Sequence, residues 1–344
     1  MSSSEKQSTN LFPDLPPYRP PQHGLLSYLP SSWVPYGELM RLSRPIGIVI
    51  IYCPYLFGAV FAAAVSDPSP SPDSLLKTAL VLLIATVFLR GGAVAFNDLA
   101  DRDLDGKIAR TRNRPLARKA ISPRNGYIFV AMQAAIWLAI LAQLSRKCVT
   151  YAIPLLVLVG LYAYSKRVTD FTPVPLGFTV AWGVFIGSVA MGVDPTRLML
   201  DGEIPTAAAL FCFYLSSAVW TNIYETIYAH QDIQDDEKHG VKSMAIRLKG
   251  KVKLVLYLLA VLQVSLLACT GWLIGAGAPY FAGSCLGVAV SLGVMIWKVD
   301  LTQPNECWWW FSNGTWFVGG SIVFGFLGQV WGDQELQSLL DRTH

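Results

Sequence analysis

The stretch 75–105 reads LLKTALVLLIATVFLRGGAVAFNDLADRDLD. Residues 75–97 are apolar apart from Lys77, Arg90 and a few small polar groups, and a helix of about 20 such residues crosses a hydrocarbon core. The end of the stretch then carries four aspartates, Asp98, Asp101, Asp103 and Asp105. An apolar helix that runs into a carboxylate cluster decides the reading in two ways. It makes the chain a membrane protein, and it puts candidate chemistry at one end of a span, where ionisable groups are expensive and usually functional.

Eight further apolar stretches surround it: 46–65, 124–144, 149–165, 174–193, 205–229, 253–275, 278–298 and 309–331. Helices satisfy their backbone polar groups within lipid, and the alternation of a spanning barrel is absent. The expected fold is therefore all-α and polytopic, a bundle of nine transmembrane helices. Composition agrees, with 53% hydrophobic and 15% charged residues against about 25% charged in soluble domains. Residues 1–40 read as a flexible, proline-rich arm, 41–331 as the membrane domain and 332–344 as a short polar tail. The arm lacks the apolar core of a signal peptide, and its mix of Lys6 and Arg19 with Glu5, Asp14 and Glu38 is unlike a mitochondrial presequence.

Charge gives the orientation. Sixteen Lys and Arg residues follow the second, fourth and sixth stretches, against five on the opposite connections and the C-terminus. The positive-inside rule then places the N-terminus in the cytoplasm, and the absence of an import sequence favours the endoplasmic reticulum or another endomembrane over the mitochondrial inner membrane. A net charge of +4 gives no support for a nucleic-acid partner. The six cysteines are scattered without a CxxC and read as small buried residues.

A second acidic run ends the stretch 205–229: Glu225, Tyr228, Asp232, Asp235, Asp236 and Glu237. At about 100° per residue, Asn97, Asp101 and Asp105 form one helical stripe, and Asp232 with Asp236 another, Glu225 and Tyr228 lying near it. Stacked carboxylates repel unless something neutralises them, and magnesium takes oxygen ligands while bridging carboxylates to phosphates. The candidate metal ligands are Asn97, Asp98, Asp101, Asp105, Asp232, Asp235 and Asp236. The expectation is two carboxylate walls holding Mg2+ and a diphosphate between them. Solvated loop charges paired with nearby Arg and Lys would account for one such run, but hardly for two that match.

The cations suit a phosphate ligand. Arg110 follows the first run, Lys242 the second, and Lys166 closes the fourth stretch one turn after Tyr162. Arg90 inside the second stretch should pair with an acid or bind a substrate anion, because an unpartnered membrane arginine is costly. Arg44 reads either as a snorkelling residue or as a substrate contact. His230 neighbours the site without the grouping a zinc centre needs. Asn313-Gly-Thr315 is a glycosylation sequon, buried in the last stretch.

These residues resemble the UbiA-type intramembrane prenyltransferase family. Asn97-Asp98-x-x-Asp101-x-x-x-Asp105 matches its first motif, continued by ARTRNRPLA at 109–117. Tyr228-Ala229, Asp232, Asp235-Asp236, Gly240 and Lys242-Ser243 match its second, and Tyr162 with Lys166 its YxxxK. Glu225 replaces the usual Asp, and the segment after Arg167 departs from the pattern at Thr169 to Val174. The resemblance implies nine helices around a central apolar cavity under a polar cytoplasmic cap. It also implies Mg2+-dependent transfer of an isoprenyl chain from a diphosphate donor to an aromatic acceptor. Asp101, Asp105, Asp232, Asp236 and Lys166 would carry catalysis, with Arg44, Arg90, Arg110, Tyr162, Tyr228 and Lys242 binding substrate.

Within the family, the arm, the altered segment and LMRLSRPIGIVIIYCPYLFG at 39–58 are most like fungal meroterpenoid enzymes. These farnesylate aromatic or pyrone polyketides in secondary metabolism. The alternative is 4-hydroxybenzoate polyprenyl transfer for ubiquinone. A cation-coupled transporter would place its acids at mid-depth in broken helices, unlike the helix-end acids here.

Overall fold

The computed structural model describes residues 16–341 except 107, 110, 166 and 234–242, and gives the backbone alone for 104 and 333–341. The described residues are all helix, turn and loop, with no strand among them. The main helices are α1 Val34–Leu39, α2 Ile46–Val65, α3 Pro72–Asp105, α4 Pro123–Leu144, α5 Arg146–Ser165, α6 Pro173–Ala181 and α7 Gly183–Ala190. They continue as α8 Pro195–Leu200, α9 Ile204–Ala229, α10 Met244–Arg247, α11 Val252–Leu273, α12 Ala278–Lys298 and α13 Pro304–Asp341. Proline opens α3, α4, α6, α8 and α13. The ring fits this first position, where the missing N–H would have no helical partner.

Eight spans among the described residues are long and apolar enough to cross a membrane. They match the first eight expected stretches, with α6 and α7 forming one of them. The ninth stretch, 309–331, is helical within α13, but its tryptophans, glycines and polar residues leave it outside those eight. Two spans are less regular than expected. The stretch 174–193 is divided at Trp182, whose indole donates to the Tyr151 carbonyl at 2.8 Å. In α12 the segment Phe281–Leu286 is a π-turn.

The chain divides into two compact units. The first comprises Met1–Pro45 and Leu89–Ala135, the second Ile46–Phe88 and Ile136–His344. In the first, Leu39, Ala95, Leu99, Leu116 and Ile121 form a buried core, with Tyr36, Phe129 and Val130 packed against it. This core joins α1, the C-terminal part of α3 and the segment 106–122 that follows the acids. Its described residues form a run of turns, held by Thr111 N–H to the Ile108 carbonyl, Arg114 N–H to Thr111 and Arg118 N–H to Arg114.

The second unit is assembled by close helix contacts. Gly58 of α2 lies against the Val184 and Ser188 backbone of α7, and Gly187 of α7 against the Tyr55 and Ala59 backbone of α2. Any Cβ at either glycine would collide with main chain. Gly177 of α6 meets the Ala218 carbonyl of α9, and Gly283 of α12 meets Gly325 of α13. Small residues let backbones approach this way inside lipid, where packing replaces hydrophobic driving force between helices. Around these contacts Phe57, Phe61, Phe213, Trp220, Tyr280 and Phe326 form a buried aromatic cluster.

Candidate active site

The first acidic run is helical to its last residue, because α3 continues to Asp105. Asp98, Asp101 and Asp105 are only 1%, 4% and 4% exposed. Buried carboxylates demand partners, and the structure sorts them into two sets. Asp98 and Asp105, two helical turns apart, share one guanidinium: Arg114 Nη1 lies 3.0 Å from Asp98 Oδ1 and 2.8 Å from Asp105 Oδ2. Arg41 Nη2 donates to the same Asp98 oxygen at 2.9 Å. Asn97 Nδ2 donates to Asp101 Oδ2 at 3.4 Å, one turn on. Asn97, Asp101 and Asp105 keep the helical spacing of one stripe, since α3 is helical through Asp105. Asp105 turns to Arg114, because the loop delivers a cation that spans two turns of helix.

Burial pushes the Asp105 carboxyl above its usual value, with Arg114 opposing and Asp98 adding to the rise. Burial also acts to lower the Arg114 guanidinium, but Asp98 and Asp105 outweigh it and hold it above its ordinary value. The Thr111 hydroxyl donates to the Asp105 carbonyl at 2.9 Å, tying the loop to the helix end.

Asn97 Oδ1 is buried with no hydrogen-bond partner. An orphaned carbonyl oxygen is costly in a dry site. Here it sits on the residue whose amide donates to the Asp101 carboxylate. An all-oxygen set of this kind fits a hard divalent cation. No three Asp, Glu, His or Cys side chains converge on one point among the described residues. Asn97 and Asp101 would offer oxygens to such an ion, beside Asp98 and Asp105, whose charge Arg114 partly offsets.

Arg90 is buried, and the hydrogen bonds of its guanidinium run to main-chain carbonyls. Its Nη1 donates to the Met40 and Arg41 carbonyls at 3.1 and 3.3 Å, and its Nη2 to the Arg44 carbonyl at 3.0 Å. It thus caps the C-terminal end of α1, where carbonyls are left without helical donors. Arg41 is left-handed there, with φ 53°, and the turn aims its side chain at Asp98. The Arg44 side chain is exposed.

In the second unit, α9 carries Glu225 and Tyr228, and a 3₁₀ turn, His230–Asp232, carries Asp232. Glu225, Tyr228 and Asp232 are each half-buried. The Tyr228 ring packs on Phe311 and Trp308 of α13, at 4.6 and 6.2 Å between centroids. His230 Nδ1 lies 2.7 Å from the Thr226 carbonyl, so its ring is engaged by its own helix. Tyr162 is half-buried on α5, and its carbonyl accepts from the Ser165 hydroxyl at 2.7 Å. Lys166, Arg110, Asp235, Asp236 and Lys242 lie outside the described residues.

Sequence reasoning passed over Arg41 and gave Arg114 no more than a place among the cations after the acids. The spacing of Arg114, nine residues past Asp105, was a usable signal. Arg41 had none, since 57 positions separate it from Asp98.

Residues 51–319 match the profile of the UbiA prenyltransferase family. The chain is 36% identical to the DMOA farnesyltransferase nvfB of Aspergillus novofumigatus, over 74% of this chain and 78% of that one. It is 32% identical to the mitochondrial 4-hydroxybenzoate polyprenyltransferase of Saccharomyces cerevisiae, over 88% of this chain and 81% of that one. Among solved structures, the fold is similar to a UbiA homolog from Archaeoglobus fulgidus bound to GPP and Mg2+. That likeness has a TM-score of 0.64 at 16% identity and covers 86% of this chain and 99% of the other.

Proposed function

Because the chain belongs to the UbiA prenyltransferase family and is a membrane prenyltransferase, we propose that it transfers a farnesyl group from its diphosphate to an aromatic or pyrone polyketide. The observation that carries the donor side is the pair of half-buried Asn97 and buried Asp101, with the orphaned Asn97 oxygen, beside two aspartates that arginine pairs. A relative named as a farnesyltransferase supports the donor length, and the altered segment 169–174 supports an acceptor other than 4-hydroxybenzoate.

In this reading Asn97, Asp101 and Asp105 of the first run, and Asp232, Asp235 and Asp236 of the second, supply oxygens for divalent metal. When bound, Mg2+ supplies Lewis-acid neutralisation of the diphosphate charge. Lys166, Arg110 and Lys242 donate to the diphosphate oxygens as the allylic C1–O bond breaks and negative charge builds on the leaving group. An electron-rich ring carbon forms the new bond to C1, and the ring loses its proton. Apolar helices exclude water, which would otherwise capture the allylic cation. Tyr162 and Tyr228 take the half-buried positions suited to substrate contact. The basic loops face the cytoplasm, and the host membrane is an endomembrane.

The test uses microsomes containing the protein, labelled farnesyl diphosphate, magnesium, and a panel of phenolic acids and pyrones that includes 4-hydroxybenzoate. The expected result is a labelled adduct on a phenolic or pyrone polyketide, abolished by EDTA and restored by added magnesium. Turnover only with 4-hydroxybenzoate and longer polyprenyl donors would overturn the reading. It would select ubiquinone-type chemistry, which the yeast relative supports.

A further inference from the structure

The N-terminal arm reads as a flexible tether, yet its described part is bound to the segment that follows the first acidic run. The Tyr18 hydroxyl donates to Glu38 Oε1 at 2.7 Å. Arg118 Nη2 donates to Glu38 Oε2 at 2.6 Å, and its guanidinium lies 3.8 Å from the centre of the Tyr18 ring. Glu38 thus receives Tyr18 on one oxygen and Arg118 on the other, while the tyrosine ring covers the arginine. Arg112 Nη2 donates to the Pro16 carbonyl at 2.7 Å, a second tie between arm and loop. The side chains of Glu38 and Arg118 are 17% and 15% exposed, which strengthens a charged pair beyond its surface value.

These ties meet the acid site through two short routes. Glu38 lies on α1, and Arg41, three residues on, grips Asp98. Arg118 lies one turn after Arg114, joined by the Arg118 N–H to Arg114 carbonyl bond at 2.9 Å, and Arg114 grips both Asp98 and Asp105. The latch and the acids are therefore two ends of one hydrogen-bonded assembly of α1 and the segment 106–122.

We propose that Tyr18, Glu38 and Arg118 are positioning residues. They latch the N-terminal arm across the segment 106–122, and the latch holds Arg114 on the acids that receive the diphosphate donor. The latch rests on the donor-side reading given above. It adds to that reading a role for the arm, upstream of the matched family region.

Trypsin reads the latch directly, because cleavage after Arg112 or Arg118 requires the side chain that the arm holds. The full-length protein in lipid nanodiscs is compared with Tyr18→Ala and Tyr18→Phe. In wild type, nicking after Arg112 and Arg118 should be slow, and magnesium with inorganic pyrophosphate should slow it further. Tyr18→Ala should speed nicking and raise both the half-protective pyrophosphate concentration and the KM for donor diphosphate. The rise should be roughly two- to tenfold, the range set by one lost hydrogen bond, with kcat held within about twofold. Tyr18→Phe keeps the ring over Arg118 and should recover part of the loss. Unchanged nicking in Tyr18→Ala overturns the latch. Faster nicking with unchanged pyrophosphate protection and KM overturns the positioning role. If wild type turns over no donor, the proposed reaction fails, and the pyrophosphate shift alone decides the latch.

Discussion

At Asp98 and Asp105 two buried carboxylates share the cation Arg114. Removing that cation leaves uncompensated charge in a dry site, which costs about 3–5 kcal/mol. Arg114→Ala should therefore lower the thermal unfolding midpoint in detergent sharply. Arg114→Lys keeps the charge but loses the planar guanidinium and should fall between; equal midpoints for all three proteins would remove Arg114 from the structural role. Asp101→Asn is expected to behave differently, since its carboxylate accepts from the Asn97 amide, whose oxygen is left without a partner. Turnover should drop by about 10²-fold or more, as when one electrostatic contact to developing charge is lost, while the amount of inserted protein stays unchanged. The contrast with Arg90 is instructive. The sequence shows that a membrane arginine needs acceptors, but not which acceptors. Main-chain carbonyls carry no residue identity, so the cap on α1 was invisible until the turn at Arg41 was placed.

For the helices, the period and length of apolar stretches made most of the fold legible, since the hydrocarbon thickness imposes both. Regularity within a span was not legible. The division at Trp182 depends on an indole reaching Tyr151 of another helix. The α2–α7 contact depends on which glycines face a backbone. Gly187→Val should prevent assembly, seen as loss of a monodisperse peak in size-exclusion chromatography. Gly293→Ala, where a Cβ meets nothing within 4 Å, should be tolerated. Before α8, Asp194 caps the helix through the Thr196 N–H at 3.0 Å and accepts from Tyr151 and Lys147. Burial acts to raise its carboxyl, but Lys147, Tyr151 and the Thr196 N–H outweigh it and hold the group below its ordinary value. A depressed folded value gives stability that is complete above the unfolded value of about 3.9 and fades as pH falls through the folded one. Asp194→Asn should therefore unfold earlier than wild type at pH 7, with the gap narrowing as pH drops below about 4. A gap independent of pH would remove the charge from the explanation.

On the scale of the whole molecule, the basic loops predict a cytoplasmic N-terminus, and span number sets where the other end lies. Protease added to intact microsomes should digest an N-terminal tag and spare a C-terminal one if α13 crosses. Digestion of both would leave eight crossings. Neither acidic run was hidden in the sequence, because helical spacing and charge announce them locally. What the sequence could not announce was the chain's own answer to that charge: Arg41 and Arg114 are distant or loop-borne, and only the fold brings them to Asp98. Their presence bears on biogenesis. A nascent chain must pass its aspartates through insertion and quality control before any ion or substrate reaches them. With arginines built into the same unit, the newly made protein neutralises part of its own acidic cluster and matures without waiting for a ligand.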